Sequence, residues 1–318
     1  MKNEIGGYFE YLEYDHGYEY HEDCIALNSA RNAFLYFVKT KNIKKVYIPF
    51  FLCDSIYRVC QKNNIVFECY HINKKFRPCF NKKLGKNELF YLVNYYGQIS
   101  DKEIHDFQTK YPLLIVDNVQ CFFKKSINDI PAIYSCRKIT GVSDGGYLYS
   151  KGIEKLALKQ DDSFGRDKHL FGRKNENADK YYSDYISNEK IIDNLPLEYM
   201  SKQTKNIMRQ IDNDKIIELR NKNFRCLSER LSSSNKIEVV FNDGPFAYPF
   251  YFENGDELRK ILISKKIYVP LLWPNVLDEG NEIEKEMAKN ILPLPCDQRY
   301  STEEMAYICD IIKKYVEK

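Results

Sequence analysis

No two of the ten cysteines stand in a C-x-x-C pair, and none joins a histidine at zinc-finger spacing. A structural zinc site is therefore excluded, and the thiols read as reduced and mostly buried. No apolar stretch approaches the roughly 18 residues that a membrane span requires, which excludes a transmembrane helix. The N-terminal MKNEIGGYFEYLEYD lacks the basic start and apolar run of a secretion signal, so a cytoplasmic location is expected. Charge of one sign is also lacking: 48 basic and 45 acidic residues leave a formal +3. The basic residues are spread along the chain rather than gathered into an arm or stripe, which disfavours nucleic acid as a partner. The five histidines have neither a metal-like spacing nor an adjacent nucleophile motif, so no metal is expected. There is no internal repeat and a single tryptophan, Trp273, which could line a binding mouth or simply pack.

What is present is enough chain for two structural units, at 318 residues. Residues 25–150 alternate β-branched runs with helical patterns, the pattern of successive β/α units and a mainly parallel sheet. Ser29 stands as a helix cap ahead of Ala33, Phe34, Phe37 and Val38. The runs KKVYIPFF, IVFECYHI, ELFYLVNYYG, PLLIVDNVQ and AIYSC read as strands whose C-terminal ends gather Asp, Asn, Gln, Ser and Lys. In open α/β sheets that edge is where ligands bind. Residues 151–195 read as a charged, irregular excursion or mobile flap. The run from Met200 to Leu231 reads as one long helix, followed by strands at IEVVF, FAYPFYF and IYVPLLW and by a terminal helix with a Ser301/Glu304 capping box. The expected division is a large α/β domain over residues 1–195, with an N-terminal arm, and a linking helix with a small α+β domain over 196–318.

Asp117 and Lys138, 21 residues apart and each at the end of a neighbouring predicted strand, could lie across one crevice. A lysine that forms an imine and an acid that keeps a pyridine nitrogen protonated are what pyridoxal phosphate demands. A partly desolvated lysine near other cations is also a better nucleophile. The turn NSARN, opening the first helix, offers backbone N–H groups to a phosphate, and Ser135 could add a hydroxyl.

Six stretches in order resemble the DegT/DnrJ/EryC1/StrS family of pyridoxal-phosphate-dependent sugar aminotransferases, of the aspartate-aminotransferase-like fold type I. They are LNSARNAF, VYIPFFLCDSI, LVNYYGQISD, IVDNVQC, RKITGVSDGGYL and NILPLPCDQRYSTEEMAYICDII. The resemblance implies that Lys138 bonds the cofactor and later moves a proton, and that Asp117 pairs with the pyridine nitrogen. It places Gln120 by the ring's phenolic oxygen, Cys53 over one ring face, and Ser135 at the phosphate with amides around Ala30, Arg31 and Asn32. It further implies a homodimer that takes an amine from an amino acid, glutamate, and passes it to a keto group of a nucleotide-linked deoxysugar, as in cell-surface polysaccharide or amino-sugar biosynthesis. The chain departs from the family at Ala30, where glycine is usual, at Cys53, where many relatives carry an aromatic ring, at Asn94, where many carry histidine, and in the short Ser135 to Lys138 spacing.

Structural alternatives stand beside these roles. Asp117 could cap a turn, Gln120 could satisfy a buried backbone group, and Gly145 and Gly146 could serve only to reverse the chain. The Asp-Asn-Asp run at 212–214 resembles a glycosyltransferase metal motif but falls in a helical pattern, as a solvated face. An alternative to the enzyme is a silent member acting as a binding or regulatory protein. A sugar dehydratase, with histidine in place of the lysine, is disfavoured by Lys138.

Overall fold

The computed structural model describes residues 17–316. Its first half runs β1 (Ile25–Leu27), α1 (Ala30–Thr40), β2 (Lys45–Pro49), α2 (Asp54–Lys62), β3 (Val66–Ile72), β4 (Pro78–Cys79), β5 (Glu88–Val93), α3 (Asp101–Lys110), β6 (Leu114–Asp117), β7 (Ala132–Ser135) and β8 (Gly146–Tyr149). All eight strands form one sheet in the order β1-β8-β7-β6-β5-β2-β3-β4. The inner pairs from β3 to β7 are parallel, while β8 runs antiparallel to both β7 and β1, and β4 antiparallel to β3. Strands β5 and β6 are almost wholly buried, which is why they read as unbroken apolar runs. Helix α1 is capped as expected, the Ser29 hydroxyl accepting from Asn32 N–H at 3.2 Å, and buries Ala33, Phe34, Phe37 and Val38.

The second half runs α4 (Lys168–Asn175), α5 (Tyr182–Ile192), α6 (Lys202–Gln210), α7 (Asn213–Leu231), β9 (Tyr248–Tyr251), α8 (Gly255–Ser264), α9 (Val276–Glu279), α10 (Glu282–Asn290), β10 (Ile291–Leu294) and α11 (Thr302–Val316). Strands β9 and β10 pair antiparallel as a separate ribbon. One apolar core surrounds the large sheet and also takes in Met208, Val276 and Met287 from the later chain. A second core, built from Phe224, Leu227, Phe250, Leu258 and Ile308, lies under α7, α8 and α11.

Three sequence expectations are corrected. Residues 151–195 are not wholly irregular, since they contain α4 and α5. The single long helix is two, because Ile211 is extended and the Asp212 carboxylate caps α7 by accepting from Lys215 N–H at 2.9 Å. That same bond makes Asp212 a helix cap rather than part of a helical face. Strands expected at IEVVF and IYVPLLW do not form. At Val240 the backbone partner is a side chain: the Gln98 amide donates to Val240 C=O at 2.8 Å and accepts from its N–H at 2.6 Å, leaving nothing for a ladder.

Candidate active site

The parallel register places Val93 beside Asp117, and Asp117 beside Ile133, so the ends of β5, β6 and β7 share one edge. Hydrogen bonds carry the alignment past the strands: Asn94 N–H donates to Asp117 C=O at 3.0 Å, and Asn118 N–H to Ile133 C=O at 2.9 Å. Side chains lock it, with the Asn94 amide donating to Asn118 Oδ1 at 3.0 Å.

Asp117 is 6% exposed at this edge. One carboxylate oxygen accepts from the Tyr91 hydroxyl at 2.7 Å and the other from Val119 N–H at 2.9 Å. Burial pushes its pKa up, opposed by those two hydrogen bonds and by the charge of Lys138. Lys138 ends a short 3-10 turn, Cys136–Lys138, directly after β7. Water reaches its side chain, yet the surrounding protein strips enough hydration to push the amine below the usual lysine range. Arg137 and Arg31 add to that shift, while Cys53 and Asp117 oppose it. The amine lies 5.2 Å from the centre of the Phe246 ring and has no hydrogen-bond or ion-pair partner among the described residues. Asp117 and Lys138 thus feel each other's charge from neighbouring strand ends, and the amine remains uncommitted.

The first turn of α1 lies alongside. A Cβ on Gly146 would sit 2.4 Å from Ala30 N, so glycine there lets β8 meet the helix start. Gly145, at φ +113°, makes the approach, and its N–H donates to Asn28 C=O at 2.9 Å. Ser135 pairs with Gly146 across the antiparallel ladder, so its side chain shares the face turned toward that helix start. Asn32 N–H is committed to the Ser29 cap, and its side chain to Asn28 and Pro196. The N–H groups of Ala30 and Arg31 and the Ser135 hydroxyl make no hydrogen bond among the described residues. None of Ser29, Ala30 or Arg31 has positive φ, so this turn is built without the usual glycine.

Two expected groups are partly spoken for. Gln120 Oε1 accepts from the N–H of Tyr96, a residue held at φ 52°, at 2.9 Å. Cys53 sits at the N-cap of α2 with Sγ 2.9 Å from Ser55 Oγ. Trp273 packs edge-on against Phe51 and Tyr95, with ring centres 4.7 and 5.5 Å away.

The donors left over at the α1 start, the nearby cations and the acid–amine pair fit pyridoxal phosphate, which carries a phosphate, a basic ring nitrogen and an aldehyde. No family model matches the sequence, and no curated protein does. Solved structures do. The chain is similar to S. venezuelae DesV in complex with a ketimine intermediate, at 14% identity and TM-score 0.64, covering 93% of this chain and 85% of that one. It is similar to a DegT DnrJ EryC1 StrS aminotransferase from Brucella abortus, at 16% identity and TM-score 0.62, covering 93% and 86%. A sugar aminotransferase from Streptococcus pneumoniae in its PMP form gives 12% identity and TM-score 0.62, covering 92% and 86%. The fold is that of these aminotransferases.

On this aminotransferase fold the sequence reading missed a ring of ions beside Lys138. Arg31 Nη1 lies 2.5 Å from Asp193 Oδ1, Arg58 Nη2 lies 2.8 Å from Asp193 Oδ2, and Arg137 pairs with Glu189. Burial pulls Arg137 down to about 10, with Arg31 adding. The acids come from α5 and its C-terminus, inside a stretch that read as irregular, so no periodicity pointed to them. Asp144 was also missed: wholly buried, it accepts from Ser201 N–H at 2.9 Å, Ser201 Oγ at 2.7 Å and the Thr204 hydroxyl, tying the lysine loop to α6.

Proposed function

We propose that the protein is a pyridoxal-phosphate-dependent aminotransferase that takes an amino group from an amino acid, glutamate, and delivers it to a keto group of a nucleotide-linked deoxysugar. The carrying observation is that the amine of Lys138, without a hydrogen-bond or ion-pair partner among the described residues, stands just past the end of β7 and feels the charge of the buried Asp117 carboxylate at the end of the neighbouring β6. Structures of the same fold described as sugar aminotransferases, from Streptococcus pneumoniae and Micromonospora echinospora, support the substrate class.

When bound, pyridoxal phosphate supplies an aldehyde carbon for an amine and a ring that accepts the electron pair left on the substrate carbon. Lys138 Nζ is the group to bond that carbon and then to carry a proton on Nζ, a task suited to an amine held below its ordinary range. Asp117 retains free lone pairs on both oxygens, each already steadied by one donor, and so can hold a protonated ring nitrogen. Ala30 and Arg31 N–H, Ser135 Oγ and the Arg31 and Arg137 charges would hold the phosphate. Gln120 Nε2, which is not used in the Oε1 bond to Tyr96, would serve the ring oxygen, and the Cys53 sulfur would cover a ring face. Asn32 serves the turn through its cap.

We also propose a homodimer acting in the cytoplasm, with a large unit over 1–195 and a small one over 196–318. No helix among the described residues is long and apolar enough to cross a membrane. Purified protein incubated with pyridoxal phosphate should absorb visible light and, after borohydride, carry the reduced cofactor on the Lys138 peptide. Lys138→Ala should abolish both. The same experiment decides a second reading, a silent member that only binds partners. That reading draws on Arg31 and Arg137 being held by the chain's own Asp193 and Glu189, and wild-type protein that never takes up the cofactor would reject the enzyme and favour it.

A further inference from the structure

Arg220, on α7, is 2% exposed, far from any role that the sequence assigned to it. Among the described residues its guanidinium makes no ion pair, although the charge of Asp297 acts on it. Instead Nη1 donates to Pro245 C=O at 2.8 Å, Nη2 to Ile139 C=O at 3.3 Å, and Nε to Gln298 Oε1 at 2.8 Å. Gln298 Nε2 then donates to the same Ile139 carbonyl at 2.7 Å. A buried cation satisfied only by neutral acceptors is costly, and burial lowers its pKa.

The two carbonyls it joins are not arbitrary. Ile139 follows Lys138, and Pro245 precedes Phe246, whose ring lies 5.2 Å from the Lys138 amine. One guanidinium therefore grips the segment that carries the amine and the segment that carries the ring facing it. We propose that Arg220, assisted by Gln298, is a positioning residue that fixes the Lys138 amine beside Phe246 and the Arg31 and Arg137 cations. The inference rests on the role given to Lys138 above. A planar, forked donor is needed, because an ammonium on a flexible stem cannot hold both carbonyls at once.

The amine is also faced by Asp117 from β6, Arg31 from α1, Cys53 ahead of α2 and Arg137 beside it. The test must therefore separate position from charge. Full-length, cofactor-free protein is labelled with trace acetic anhydride over a pH series, and acetylation of Lys138 is read by mass spectrometry against exposed lysines. Gln298→Leu removes one grip with no change in charge, Arg220→Met removes the clamp, and Arg220→Lys keeps the charge without the fork. In all three the Lys138 profile moves to higher pH, so that labelling at mildly alkaline pH falls several-fold, furthest for Arg220→Met. A wild-type profile in Gln298→Leu and in Arg220→Lys would overturn the proposal and leave Arg220 as mere packing between the two cores. If Arg220→Met does not fold, Gln298→Leu still decides. Because no cofactor is present, the shift is read whether or not borohydride traps pyridoxal phosphate on Lys138, so the two ideas fail separately.

Discussion

His21 is 1% exposed, stacked on Tyr134 with ring centres 4.0 Å apart and edge-on to Phe122 at 4.7 Å. Its Nε2 lies 2.7 Å from Phe122 C=O, so a neutral ring donating there satisfies the carbonyl. Burial lowers its pKa to about 3, against 6.5 for a free ring. The unfolded chain therefore binds a proton that the folded chain refuses between those values. Stability from this residue is complete above pH 6.5 and is lost as pH falls toward 3, by up to about 1.4 kcal/mol per pH unit. Urea midpoints measured across that window should fall steeply for wild type and less steeply, by one proton's worth, for His21→Gln. At the same scale the sequence was partly readable. Asp117 and Lys138 could be singled out as an acid and an amine at the ends of neighbouring strands, although a turn cap was an ordinary use for the acid as well. The Ser29 cap and the service of Gln120 to a buried backbone group were readable too, but that Tyr96 supplies that group was not, because hydrogen-bond partners are set by the path of the whole loop.

Among elements, the junction of β8 with the start of α1 is the tightest near the site. Alanine at Gly146 must push Ala30 N away from 2.4 Å, and the backbone has no flexible end to yield. Gly146→Ala should destabilise the chain by about 1–3 kcal/mol and weaken retention of pyridoxal phosphate in equilibrium dialysis. Gly141→Ala, where the nearest atom is Leu170 Cδ2 at 3.6 Å, should change neither. Strand β6 and helix α1 were legible because local rules coincide with tertiary ones there: a buried run ending in Asp117, and a Ser29 cap followed by an apolar face. Where one side chain overrides the local pattern, legibility ends. Val240 has the sequence of a strand, but Gln98 takes its backbone. The run from Met200 has the spacing of one helix, but Asp212 restarts it.

At the scale of the molecule, Glu284 pins the later chain to the large sheet. It is 0% exposed; its oxygens accept from Ile72 N–H at 2.9 Å and Asn281 N–H at 3.0 Å, and lie 2.9 Å from His71 Nδ1. Glu284→Ala leaves these donors without a buried acceptor and should lower unfolding free energy by about 3 kcal/mol, measured by chemical denaturation. Nearby, the Asn275 amide donates to Leu52 C=O at 2.9 Å, and Trp273 leans on Phe51 and Tyr95 of the sheet layer. That placement makes the chain's only indole a built-in optical gauge. Selective excitation of Trp273 reports the seating of the C-terminal segment on the sheet without any attached dye, and a red-shifted emission that precedes loss of helical circular dichroism would time the parting of the two layers.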